Sequence, residues 1–140
     1  FIERPDGISS SCAENTGVLY KAVVSHTGGA LTKNPILDCV ADMQVVFRRD
    51  TGTDGIIDTA SEDISTLSAT TIRDQVKEVR VYILAHEGEK DSTYTYSPTS
   101  IRVGDPSLDG VAVGRDFNIG TNVNYRWKLY VLVVKTENLK

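Results

Sequence analysis

At 140 residues, with 40% hydrophobic, 24% charged and 7% aromatic positions, the chain suits one globular domain and is too apolar for a disordered or fibrous one. A net charge of -4 offers no clustered basic face for a phosphate backbone, so no nucleic-acid partner is expected; Arg48-Arg49, flanked by acid, reads as a solvated strand end. The longest apolar run, LYVLVV at 129–134, has strand length and falls far short of the roughly 18 residues of a membrane-spanning helix.

In chain order, residues 1–16 hold Pro5, Asp6-Gly7 and a serine run, which reads as a loop-rich lead-in after at most a short strand. VLYKAVVS at 18–25 alternates as a strand does, with Tyr20, Ala22 and Val24 taken as its core face. HTGGALTKNP is turn material, from Gly28-Gly29 to Pro35. In ILDCVADMQVVFRRD (36–50), Met43, Val45 and Phe47 share one strand face, and Asp42, Gln44 and Val46 take the other. Past the acid-rich segment 50–63, STLSATTIRDQVKE predicts a short helix with Ser68 as N-cap and Leu67, Ile72 and Val76 at near-helical spacing.

EVRVYILAH (78–86) reads as a strand with Val79, Val81, Ile83 and Ala85 inward, and Arg80, Tyr82 and His86 outward. STYTYSPTSIRVG predicts one or two short strands broken by Pro98, and 105–122 reads as loop with a turn at Asp109-Gly110. YRWKLYVLVV (125–134) lines up Tyr125, Trp127, Leu129, Val131 and Val133; its second face is also apolar, which predicts a central strand. Connections of hairpin length give a single α+β domain over 1–140, a mostly antiparallel β-sheet with one short helix.

The chain contains no constellation for catalysis. It lacks a GxSxG elbow and a glycine loop leading into GK[ST], and its two histidines, His26 in a turn and His86 at a strand end, read as solvated. Cys12 and Cys39 match neither a CxxC motif nor a zinc pattern. They are either two buried free thiols or one disulfide, which by closing a loop of about 27 residues would add about 3.5 kcal/mol and imply an oxidising compartment.

DTGTDGIIDT at 50–59 admits two readings. Counted as an EF-hand loop, Asp50, Asp54, Gly55 and Asp58 fall at positions 1, 5, 6 and 9, while position 3 is Gly52 and position 12 is Ser61, with Glu62 just beyond. The candidate calcium ligands are therefore Asp50, Asp54, Asp58 and Glu62. The other reading is a solvated acidic hairpin turn, which needs no cofactor.

Four runs, CAENTGVLYKAVV, LDCVADMQVVFRRDTGTDGIIDT, VKEVRVYILAHEGEKD and YRWKLYVLVVKTENL, resemble in that order the C-terminal half of PilW-type minor pilins of bacterial type IV pili. The resemblance implies a pilin-head-like, disulfide-bearing β-rich fold and a structural role in pilus assembly, with other pilins or minor pilins as partners. It also implies an extracytoplasmic location, in the periplasm or on a cell-surface pilus, with a hydrophobic N-terminal helix as the prepilin's inner-membrane anchor. FIERP, with Glu3 and Pro5, does not match a mature pilin start, so that helix is expected to have been removed or to belong to a separate chain. The family's acidic insert is commonly DTDGDG, and DTGTDG lacks its second aspartate. The alternative function is a secreted binding domain or adhesin, with Tyr94 and Tyr96 of TYTY presenting two rings on one strand face.

Overall fold

Strand is the predominant regular structure in the computed structural model, which describes residues 1–105 and 112–136; the Asp109-Gly110 turn lies outside the described residues. The elements are β1 (Ile2–Glu3), β2 (Gly17–Val24), β3 (Leu31–Arg49), β4 (Thr59–Ser61), α1 (Ala69–Gln75), β5 (Val76–Glu87), β6 (Ser100–Val103), β7 (Arg115–Asn118) and β8 (Arg126–Lys135). One sheet runs β1-β2-β3-β5-β8 with β4 beside β3, and β6 pairs with β7. The β1–β2, β2–β3 and β3–β4 pairings are antiparallel. The expected antiparallel character and single short helix are both present. Ser68 caps α1, its hydroxyl accepting the Thr71 amide at 3.1 Å.

β3 starts earlier than its sequence suggests. Pro35 sits within it opposite Tyr20, and the register slips between Gly17 and Leu19 and again between Leu19 and Tyr20. Leu19 faces Leu37 while Gly17 faces Val40, so β3 carries an extra residue there. A proline has no amide for the ladder, and bulges are where strands accommodate one. Cys39, inside the irregular stretch, adopts a left-handed φ of 55°. Beyond Tyr20 the hairpin is exposed on both faces, so Ala22 and Val24 are not core; Val18 and Leu19 are.

The described residues form two compact units, and β3, β5 and β8 each contribute to both. The first unit draws on Phe1–Met43, Ile83–Ser100 and Asn118–Leu129. Val18, Leu19, Val40, Leu84, Ile119 and Trp127 form its core. The second unit consists of the described residues of Gln44–Tyr82, Ile101–Phe117 and Tyr130–Lys140. Its apolar core is Val46, Val76, Tyr82, Val103 and Val113.

Two strand-face expectations are corrected. Along β5 the buried row is Val76, Glu78, Tyr82, Leu84 and His86, whereas Val79, Val81 and Ile83 are only partly covered and, of the residues expected inward, Ala85 alone is buried. β5 lies between β3 and β8, and a strand with neighbours on both sides can bury polar groups on the face where they find partners. β8 is the end of the sheet order rather than its centre, so Tyr125 and Trp127 are buried while Val131 to Val134 are about half exposed. Residues 115–118, read as loop, form β7.

Within the second unit, polar groups occupy the core as pairs. Asp105, 1% exposed, accepts Arg48 Nε at 2.6 Å, and Glu78 accepts Arg80 Nε. Arg48 also lies 3.9 Å from Glu78, and Arg80 lies 4.0 Å from Asp105. Two cations thus face two anions in one closed set, the arrangement that makes buried charge tolerable. Asp105 follows Gly104, whose backbone crosses that of Gly114. A Cβ on Gly104 would meet Val113 O at 2.3 Å and Gly114 Cα at 2.6 Å, and both glycines have positive φ.

Gly104→Ala is expected to destabilise the protein by about 2–4 kcal/mol, through a strained φ and a backbone collision. Asp105→Ala, which leaves Arg48 only the more distant Glu78 carboxylate, is expected to remove about 3 kcal/mol. Urea midpoints against wild type check both, and unchanged midpoints would contradict this packing.

Candidate functional site

The first unit holds the chain's only cysteines, joined as a disulfide between the lead-in loop and β3, with Cα atoms 5.0 Å apart. The lead-in reaches it through turns closed by Ile8 N–H to Pro5 O (3.3 Å), Cys12 N–H to Ser9 O (2.9 Å) and Thr16 N–H to Ala13 O (3.3 Å). The β3 bulge carries Cys39 to meet Cys12. Beside Cys39 runs an open groove of about 470 Å³, lined by Pro35, Ile36, Leu37, Asp38, Cys39 and His86.

His86 is the residue the sequence pattern misplaces. It is 5% exposed, not solvated. Its Nε2 accepts the Ala13 amide at 2.9 Å, and its ring packs 4.5 Å from Tyr125 and 5.3 Å from Trp127. Burial pushes the imidazole below its ordinary pKa of 6.5, in keeping with a neutral ring that accepts at Nε2. Nδ1 is buried with no hydrogen-bond partner. The disulfide sulfurs and a His86 ring nitrogen all lie within 4.8 Å of one another. Nothing local in the sequence marks this meeting, because it joins a loop, a bulge and a strand end remote from one another along the chain.

In the second unit, residues 50–58 link β3 to β4, whose register pairs Arg49 with Thr59. The loop turns through Thr53 at φ 57° and Gly55 at φ 89°. That geometry aims amides back at the acids. Asp50, 1% exposed, accepts Asp54 N–H at 3.2 Å and Gly55 N–H at 2.8 Å. Asp54 accepts Ile56 N–H at 2.9 Å. Asp58 accepts the Thr51 hydroxyl at 2.7 Å, the Thr51 amide at 3.1 Å and the Gly52 amide at 3.2 Å. The Thr51 hydroxyl foremost, then its amide, hold the Asp58 carboxyl down at about 2, from an ordinary 3.8. Asp50, Asp54 and Asp58 are therefore brought together around the loop's own donors, while Glu62 stands exposed beyond β4.

Tyr94 and Tyr96 do not lie on a strand. Their amides bond to Asp91 O at 3.1 Å and Val123 O at 2.7 Å, and both side chains are half-buried. The Arg126 guanidinium covers the Tyr94 ring at 4.5 Å and bonds Asp91 at 2.8 Å. Asp91 itself, low in pKa through the Thr93 hydroxyl and amide, anchors that turn. Two further groups escape sequence reading, the Arg48–Asp105 and Arg80–Glu78 pairs. Their one signal is Glu78 and Arg80 two apart on a strand face.

These features define a β-rich domain stapled by one disulfide, whose buried and loop acids are engaged by its own amides and arginines. Residues 8–138 match the family model of PilW, type IV pilus-assembly protein W, and the chain belongs to that family. No curated protein and no solved structure matches it. Membership carries a role in type IV pilus assembly, structural in kind, and a place in the cell envelope. Among the described residues, no helix is long and apolar enough to cross a membrane.

The acidic loop yields a pH prediction. A carboxyl whose folded pKa lies below its unfolded value contributes stability that is fully present above the unfolded value, near 3.8, and is lost as pH falls through about 2. A carbon-detected NMR titration should give Asp58 a midpoint near 2 in wild type and a higher one, still below 3.8, in Thr51→Val, which loses the hydroxyl but keeps the amide donors. A wild-type midpoint near 3.8 would contradict the hydrogen bonding of this loop.

Proposed function

We propose that this chain is the globular head of a minor pilin, a structural component that makes protein–protein contacts with other pilins or minor pilins during type IV pilus assembly. The family match over residues 8–138 carries the reading. A disulfide supports it, since such bonds persist where the surroundings are oxidising, as in the periplasm or on the cell surface. The exposed face of β8 supports it further. Val131 and Val133 on one side of its outer end, and Leu132 and Val134 on the other, are 48–55% exposed apolar side chains open to a partner. The adhesin alternative loses its platform, because Tyr94 and Tyr96 share no strand and Arg126 occupies the Tyr94 ring.

For the acidic loop the reading is a turn that closes without a cation, since amides and a hydroxyl already compensate Asp50, Asp54 and Asp58. A cation that binds the folded state alone raises stability by mass action. Thermal melts in calcium and in chelator are therefore expected to coincide. A calcium-dependent rise would instead make Asp50, Asp54, Asp58 and Glu62 ligands.

Deleting the gene is expected to strip surface filaments, and wild-type complementation to restore them. A Val131→Lys, Val133→Lys double variant should fold with wild-type stability yet fail to restore filaments. Intact filaments with lost attachment in the deletion strain would favour the adhesin and overturn the assembly role.

A further inference from the structure

The fold gathers two sulfurs and an imidazole nitrogen within 4.8 Å of one another, with Cys39 and His86 lining an open groove, and that is the donor set of a thiolate-imidazole metal centre. We propose that the dithiol form of this chain binds a zinc-class divalent cation through Cys12 Sγ, Cys39 Sγ and one ring nitrogen of His86, the metal and the disulfide being mutually exclusive occupants.

The geometry requires little movement. Tetrahedral zinc, with Zn–S near 2.3 Å and Zn–N near 2.0 Å, holds its ligand atoms roughly 3.5–3.8 Å apart. The three atoms of this cluster lie within 4.8 Å of one another, and opening the S–S bond lets the sulfurs separate about the centre. Cα atoms 5.0 Å apart permit this without a shift of either segment. The third donor is held ready. His86 is only 5% exposed, Nδ1 has no partner, and Nε2 accepts only a neutral amide, that of the residue after Cys12. As a neutral ring that accepts at Nε2, His86 carries its proton on Nδ1, so Nε2 is the nitrogen that would turn to the metal, exchanging the Ala13 amide for it. The groove supplies an entry path and room for a water in the fourth position.

The chemistry balances in two steps. An external dithiol gives two electrons and two protons to the Cys12–Cys39 bond, so that it becomes a disulfide and the chain acquires two thiols. One divalent cation then displaces both thiol protons, leaving a neutral metal–dithiolate unit that a buried site tolerates. A scan for local CxxC spacing does not reveal this set, because His86 reaches it only through the sheet.

Cobalt(II) is the probe, since thiolate ligation and tetrahedral geometry both show in its absorption spectrum. The full chain, reduced by a dithiol that is then removed under anaerobic conditions, should bind one equivalent. It should show sulfur-to-cobalt charge transfer and intense tetrahedral bands, which zinc bleaches. The oxidised chain and Cys12→Ser should show neither. His86→Gln should weaken binding by at least about tenfold, no less than the loss of an outer-shell group typically costs. Because His86→Gln also disturbs a buried contact, a second readout uses the unsubstituted protein: zinc should shift the His86 ring proton resonances of the reduced wild-type chain. Absence of the tetrahedral spectrum, its persistence in the oxidised chain, or unmoved His86 resonances would overturn the proposal.

Discussion

The Cys12–Cys39 bond joins the least regular part of the chain to the one place where β3 departs from strand geometry. The lead-in has a two-residue strand and a few turns, too few backbone bonds to offset the entropy of ordering it. Yet Ala13 and Thr16 are buried, and the Ala13 amide is what satisfies His86 Nε2. The crosslink makes this possible by limiting how far the unfolded lead-in can stray. The left-handed φ at Cys39 and the displaced register around Pro35 are the local distortions that let the bond close.

In the second unit the same problem, keeping polar groups off bulk water, is solved without a covalent bond. Arg48, Arg80, Glu78 and Asp105 neutralise one another, the two acids buried and the two arginines partly so, and the crossing of Gly104 and Gly114 delivers Asp105 to them. The loop between β3 and β4 does so with amides, turning at Thr53 and Gly55 so that Asp50 and Asp58 each receive two or more donors. A carboxylate that accepts a hydroxyl and several backbone N–H bonds is stabilised as the anion, and the Thr51 hydroxyl foremost, then its amide, is the reason Asp58 resists protonation. Acid-rich sequence in a hairpin loop is thus what the turn uses to hold its shape.

Much of the fold is legible in the sequence because local rules govern it. Ser68 announces α1 through capping, and alternation locates β5, β8 and the second half of β3 to within a few residues. What escapes is decided by neighbours the sequence does not name. Period two shows that β5 has two faces, not which one is buried, and Glu78 and His86 sit on the buried one because arginines and an amide await them there. β2 alternates like a core strand but extends beyond the layer that could cover it. At the candidate site, the cysteine pair leaves both a disulfide and free thiols open, and the acids leave a calcium loop beside a turn. Only distances add His86 to the first and loop amides to the second.

Membership in the PilW family ties these devices to a purpose. An envelope assembly protein must hold its contact surface without cytosolic chaperones, and a covalent staple across a short, turn-rich lead-in suits that demand. The most direct test of the staple is equilibrium urea unfolding of the oxidised and the reduced chain. Reduction is predicted to lower the unfolding free energy by about 3–4 kcal/mol, the loop-closure value for this span. Coincident unfolding curves would show that other contacts hold the lead-in, and would contradict the claim that the first unit depends on the Cys12–Cys39 bond.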